Sequence, residues 1–139
     1  MIKVGEYVRI KHMYNNQKIA KIEQILDKDP CYKNMQMYLI DVTHQYNNGH
    51  FPSKKIYKED IIKHSKNIID LIEVGDFVNG DEITYINKDP FIKEQINLWI
   101  DRYEIDSFGD SSRIKYLNED IKTVVTKEQM KSMEYRLEE

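Results

Sequence analysis

Histidine, cysteine and clustered carboxylates are the side chains of this sequence that could do chemistry, and their spacing organises no catalytic site. His44 and His50 follow Asp41, so imidazole and carboxylate could in principle meet a metal, but six-residue spacing across an Asn/Gly loop is not a ligand frame. Asp27 and Asp29 form a D-x-D whose later counterpart reads Asn87-x-Asp89; the Lys-Asp-Pro stretch persists while an acid is lost, which fits a turn better than a cation site. Cys31 is the chain's single cysteine, follows Pro30, and has no partner for an internal disulfide or base to activate it. Asp101, Glu104, Asp106 and Asp110 could supply paired carboxylates, yet they fall in and after a strand expected to be exposed, with no apolar enclosure to set up acid–base work. With no Gly-rich phosphate loop and no nucleophile elbow, the expectation is a protein without catalytic residues, metal or cofactor.

Charge is more informative. Residues 1–72 hold 12 Lys/Arg against 8 Asp/Glu, a net of +4, and residues 73–139 hold 9 against 16, a net of −7, which together give the −3 of the whole chain. The second half therefore offers an acidic, partner-binding set, Asp101, Glu104, Asp106 and Asp110, with Trp99 as the kind of aromatic anchor that interfaces use. The alternative role for Trp99 is packing under a C-terminal helix against Met130 and Met133. The first half offers Lys54, Lys55, Tyr57, Lys58, Lys63, His64 and Lys66, cations mixed with an aromatic as on a nucleic-acid surface. The same lysines would also serve to block edge-to-edge strand pairing.

These groups are positioned by a repeat. Ile2-Lys3-Val4-Gly5-Glu6-Tyr7-Val8 returns as Ile72-Glu73-Val74-Gly75-Asp76-Phe77-Val78. Further on, Leu26 to Pro30 returns as Ile86 to Pro90, Leu39-Ile40-Asp41 as Trp99-Ile100-Asp101, and Glu59-Asp60-Ile61 as Glu119-Asp120-Ile121. The offset falls from 70 to 60 residues, so the first copy carries about ten extra residues before its Lys-Asp-Pro turn.

The alternation of Glu6 to Met13, Ile19 to Leu26 and Met35 to Val42 predicts three strands. Lys55–Lys58 with Asp60–Ile62 predicts a fourth, and Ser65 caps a short helix over 66–72. In the second copy strands are predicted over 76–79, 82–87, the stretch around Ile96, Leu98 and Ile100, and a last one over 113–117 with 120–125. Thr126-Lys127-Glu128-Gln129 is a capping box opening a helix to about Leu137, with Met130, Met133 and Leu137 on one face.

The fold expected is mainly β with short helices: two copies of a unit of about four strands followed by a helix, over 1–72 and 73–139. The Gly-acid-x-Val opening and curved meander resemble the small SH3-like barrel of Tudor and KOW modules.

No apolar run approaches the roughly 20 residues that span a bilayer, and a charged strand pattern opens the chain, so a cytoplasmic location is expected. Lys, Ile, Asn and Tyr dominate while alanine appears once, the composition of an AT-rich genome.

The stretches His64-Ser65-Lys66-Asn67-Ile68-Ile69-Asp70-Leu71-Ile72-Glu73-Val74-Gly75-Asp76-Phe77-Val78-Asn79-Gly80 and Glu119-Asp120-Ile121-Lys122-Thr123-Val124-Val125-Thr126-Lys127-Glu128-Gln129 resemble small uncharacterised proteins of phages and prophages in AT-rich Firmicutes. That resemblance implies an accessory protein acting in the host cytoplasm, of a kind that includes inhibitors of host defence such as anti-CRISPR proteins. The expected function is non-catalytic binding and inhibition of a host protein, a basic nucleic-acid-binding effector, through the acidic second unit. The alternatives are a nucleic-acid binder using the basic face of the first unit, and a protein that sequesters a nucleotide or other small molecule between the units.

Overall fold

A computed structural model describes residues 1–14, 16–42 and 53–133. The fold is mainly β. The chain divides into two compact units, Met1–Leu71 and Ile72–Glu139, each with one five-stranded antiparallel sheet.

The first unit contains β1 (Tyr7–Tyr14), β2 (Gln17–Ile25), β3 (Met37–Asp41), β4 (Ser53–Tyr57) and β5 (Ile61–Ser65), in the order β4-β3-β2-β1-β5. The second contains β6 (Phe77–Val78), β7 (Asp81–Lys88), β8 (Ile96–Ile105), β9 (Ser111–Tyr116) and β10 (Val124–Val125), in the order β10-β6-β7-β8-β9. Read from the other end, the second order is the first: a four-strand meander whose fifth strand returns to pair with the first.

The repeated residues make repeated bonds. Gly5 N–H donates to the Ile22 carbonyl at 2.9 Å, and Gly75 N–H to that of Ile83 at 2.9 Å. Both glycines hold a positive φ, 90° and 97°, which a side chain would oppose. Cys31 N–H and Phe91 N–H each donate to the carboxylate of the Asp-Pro turn before them, Asp29 at 2.9 Å and Asp89 at 2.7 Å. The Asp-x-Asp stretch is therefore used as a turn.

The expected fourth strand of each unit is in fact two strands. A 3₁₀ turn, Lys58–Asp60 in one unit and Asn118–Asp120 in the other, separates β4 from β5 and β9 from β10. The cause is an acid that captures a backbone amide: Asp60 Oδ2 accepts from Tyr57 N–H at 2.9 Å, and Asp120 Oδ2 from Leu117 N–H at 2.8 Å. A side chain that bonds its own local backbone competes with the strand ladder and bends the chain.

The helix expected over 66–72 is shorter, a 3₁₀ turn at Ile68–Leu71, because β5 continues through Ser65. Ser65 still caps, accepting from Asn67 N–H at 3.1 Å. The C-terminal helix α1 is described over Lys127–Ser132. Its capping box forms as expected, with Gln129 N–H on Thr126 Oγ1 at 3.2 Å and Thr126 N–H on Gln129 Oε1 at 2.8 Å. Met130 and Met133 are exposed, and Leu137 lies outside the described residues.

In the first unit Ile2, Val8, Ile10, Ala20, Ile22, Tyr38, Ile40 and Ile56 form one buried cluster, joined by Ile61. Arg9 is buried with them and donates from Nη1 to the Leu71 carbonyl at 3.0 Å, tying the last turn of the unit to β1. In the second unit Val78, Ile83, Leu98 and Ile100 are fully buried, together with Asp76 and Thr126.

Candidate functional site

The acidic set is carried by the far end of β8 and its turn into β9. Leu98 and Ile100 are buried, but from Asp101 to Ser112 every residue is exposed. Successive strand residues point to opposite faces, so this stretch is a two-stranded ribbon open on both sides, paired as Tyr103↔Arg113, Glu104↔Ser112 and Ile105↔Ser111. We call it the arm.

Arg113 fixes the point where the arm leaves the sheet. Its Nε donates to the Ile100 carbonyl at 2.8 Å and its Nη2 to Thr84 Oγ1 at 2.7 Å, spanning β7, β8 and β9 where the register of both ladders slips. Arg102, on the arm, pairs with Asp81 at 3.2 Å. The Tyr116 hydroxyl donates to the same carboxylate at 2.5 Å, and that bond pushes the tyrosine's own pKa up.

The four acids divide. Asp106 shapes the tip, its Oδ1 accepting from the amides of Phe108 and Asp110 at 2.9 Å each. Among the described residues the side chains of Asp101, Glu104 and Asp110 have no hydrogen-bond or ion-pair partner. Between them stand Tyr103, Ile105 and Phe108, exposed by 61%, 73% and 89%, large enough to matter to a partner. In the sequence Phe108 lies beside Asp106 and Asp110, and Tyr103 and Ile105 alternate with polar residues, which is the signal that was available for this set.

Trp99 sits below the arm. It is half-buried, donates from Nε1 to Asn87 Oδ1 at 2.9 Å, and has the Lys115 ammonium 5.4 Å from its ring centroid. It belongs to a polar ladder with Asn87 and Asn97. Met130 and Met133, the alternative packing partners, are exposed, and part of the Trp99 surface stays open in a depression it lines together with Glu104.

The structure does not gather the basic residues of the first unit on one strand. Lys54, Lys55, Tyr57 and Lys58 lie on β4 and the turn after it, while Lys63, His64 and Lys66 lie on or after β5, at the opposite end of the hydrogen-bonded order. Lys54 Nζ sits 3.8 Å from the Tyr14 ring centroid. The Tyr57 hydroxyl donates to Asp29 Oδ2 at 2.8 Å and its ring packs edge-on to Tyr32. That bond, then the Cys31 amide, hold Asp29 below the usual carboxylate range.

Among the described residues no group of three or more His, Cys, Asp or Glu side chains could hold a metal ion. His44 and His50 lie outside the described residues. Also among the described residues, no helix is long and apolar enough to cross a membrane. Comparisons with protein-family models, with curated proteins and with solved structures return no match for this chain.

Proposed function

We propose that the protein is a non-catalytic binding protein that uses the arm of its second unit to engage and inhibit a host protein with a basic surface. The observation that carries this reading is the arm itself, a ribbon exposed on both faces from 101 to 112, with unpaired carboxylates interleaved with Tyr103, Ile105 and Phe108. Aromatic and aliphatic anchors supply affinity at an interface, while surrounding charge supplies steering and specificity. The two units are read as a tandem pair of SH3-like barrels derived by duplication, a reading supported by their identical strand order and repeated turn bonds. The resemblance to phage proteins narrows the partner to a defence component, a nuclease such as a CRISPR effector.

The test is quantitative capture from a lysate of an AT-rich Firmicute. A protein retained by the wild type is lost with D101K/E104K/D110K and with F108A, and retained by K54E/K55E, while all variants keep the wild-type far-UV spectrum. Retention by both arm variants refutes the reading.

A further inference from the structure

A groove of about 450 Å³ opens on the first unit, within the size range of small-molecule sites. Ile2, Ile61 and Ile62 give it apolar walls. Tyr38 lines it with only 5% of its surface exposed. Its hydroxyl has no hydrogen-bond partner among the described residues, and no sealed side-chain oxygen lacks one, so the hydroxyl keeps exposed surface on a residue that lines the groove.

Every charged side chain lining the groove is a cation or can become one: Lys28, Lys58 and His64. The two lysines have no partner among the described residues. Glu6 Oε1 takes the Nδ1 side of His64 at 3.0 Å, leaving Nε2 as the ring's open nitrogen. Two unpaired ammonium groups and a hydroxyl around an apolar floor, beside a His64 whose Nδ1 side Glu6 already takes, leave donors to spare for an anion carried on an apolar body.

We propose that this groove binds a phosphomonoester on a planar ring, the chemistry of a nucleoside monophosphate, with Lys28, Lys58 and the Tyr38 hydroxyl on the phosphate and Ile2, Ile61 and Ile62 against the ring. A free mononucleotide and the phosphorylated end of a nucleic-acid strand share that chemistry. The proposal is independent of the arm: it can fail while the arm binds, and the reverse.

The experiment is calorimetric titration of the full chain with AMP and UMP, with adenosine and uridine, with inorganic phosphate, and with a 5′-phosphorylated oligonucleotide. At least one monophosphate binds with a dissociation constant below about 1 mM, and its nucleoside and inorganic phosphate bind at least about tenfold more weakly, the loss expected for one charged hydrogen bond or a buried ring. K28A/K58A weakens binding by about tenfold or more, and Y38F, which keeps the ring packed, by several-fold. Oligonucleotide binding tighter than the mononucleotide assigns the site to strand ends; equal or weaker binding assigns it to free nucleotide. No binding by either phosphorylated probe, binding of inorganic phosphate as tight as nucleotide, or binding unchanged in both folded variants overturns the proposal.

Discussion

Asp76→Ala is the substitution whose cost the structure fixes best. Asp76 is fully buried in the second unit, where its Oδ2 accepts from Glu73 N–H at 2.8 Å and its Oδ1 from Lys127 N–H at 2.9 Å. One carboxylate thus closes the Val-Gly turn and anchors the first turn of α1. Alanine leaves two amides unpaired in a site where hydrogen bonds to a charged acceptor contribute about 1.5–3 kcal/mol each, so a loss of about 3 kcal/mol is expected after partial rescue by water. The equivalent Glu6 of the first unit is less enclosed and anchors no helix; its carboxylate meets the Lys3 amide and His64. E6A should therefore cost about 1 kcal/mol or less. Trp99, the only tryptophan, reports on the second unit by fluorescence. With a urea slope of about 1 kcal/mol/M for a unit this small, D76A should lower its midpoint by about 2 M or more, and amide exchange at Lys127–Ser132 should rise. A loss below about 1 kcal/mol in D76A, or unchanged exchange in α1, would refute the assignment of Asp76 as the joint between turn and helix.

Replacing residues 104–112 with Asn-Gly joins Tyr103 to Arg113, already a paired position, through a two-residue turn; the Trp99 transition should stay within about 0.5 kcal/mol of wild type while partner capture disappears. Arg113→Met removes bonds to the Ile100 carbonyl and Thr84 at the root of the arm; hydrogen exchange should rise at Tyr103–Ile105, with a stability loss of about 2 kcal/mol by urea titration. The His64 bond holds the Glu6 carboxyl below its ordinary 4.5. A depressed carboxyl stabilises the fold above its unfolded value, and that contribution is lost as pH falls through 4.5 and then the folded value. Urea midpoints measured from pH 6 to pH 3 should therefore fall more steeply for the wild type than for E6Q.

The repeat made much of this fold legible because the turns of both copies use the same atoms for the same bonds. Ile92, Ile96, Trp99, Ile100 and Tyr103 fit a helical stripe while Ile96, Leu98 and Ile100 alternate as in a strand, and alignment with the clearer strand at Leu39-Ile40-Asp41 chooses the strand that β8 forms. The division of each last strand was not legible, because the acids that cause it, Asp60 and Asp120, look like ordinary strand-end residues until their carboxylates are seen on Tyr57 and Leu117. Nor did periodicity reveal Asp76 as buried, since its charge suggests a surface position and its partner Lys127 lies 51 residues away. Of the candidate site, the acids could be named from the sequence. That Asp106 builds the tip while Asp101, Glu104 and Asp110 stay open depends on turn geometry.

The two copies differ in which strands are long. The first lengthens the β1–β2 hairpin, with strands of 8 and 9 residues where β6 has 2 and β7 has 8. In the second, β8 is described over 10 residues where β3 is described over 5, with no added chain length, since the 60-residue offset holds from Leu39 to Glu59. Asp41 and Asp101 occupy equivalent positions and use their carboxylates differently. Asp41 Oδ1 accepts from Lys21 N–H at 2.7 Å, and the described β3–β4 pairs run as far as Asp41, opposite Ser53. Beyond Asp101 the ladder runs to Ile105↔Ser111, and the Asp101 carboxylate is open to solvent. Ordering a backbone residue costs about 1–2 kcal/mol, normally offset by buried apolar surface. An arm exposed on both faces buries almost none, so the fold gains little from Tyr103, Ile105 and Phe108. Under the proposed function their contribution is made to a partner's surface, and the arm, not the shared turns, is where specificity should be sought.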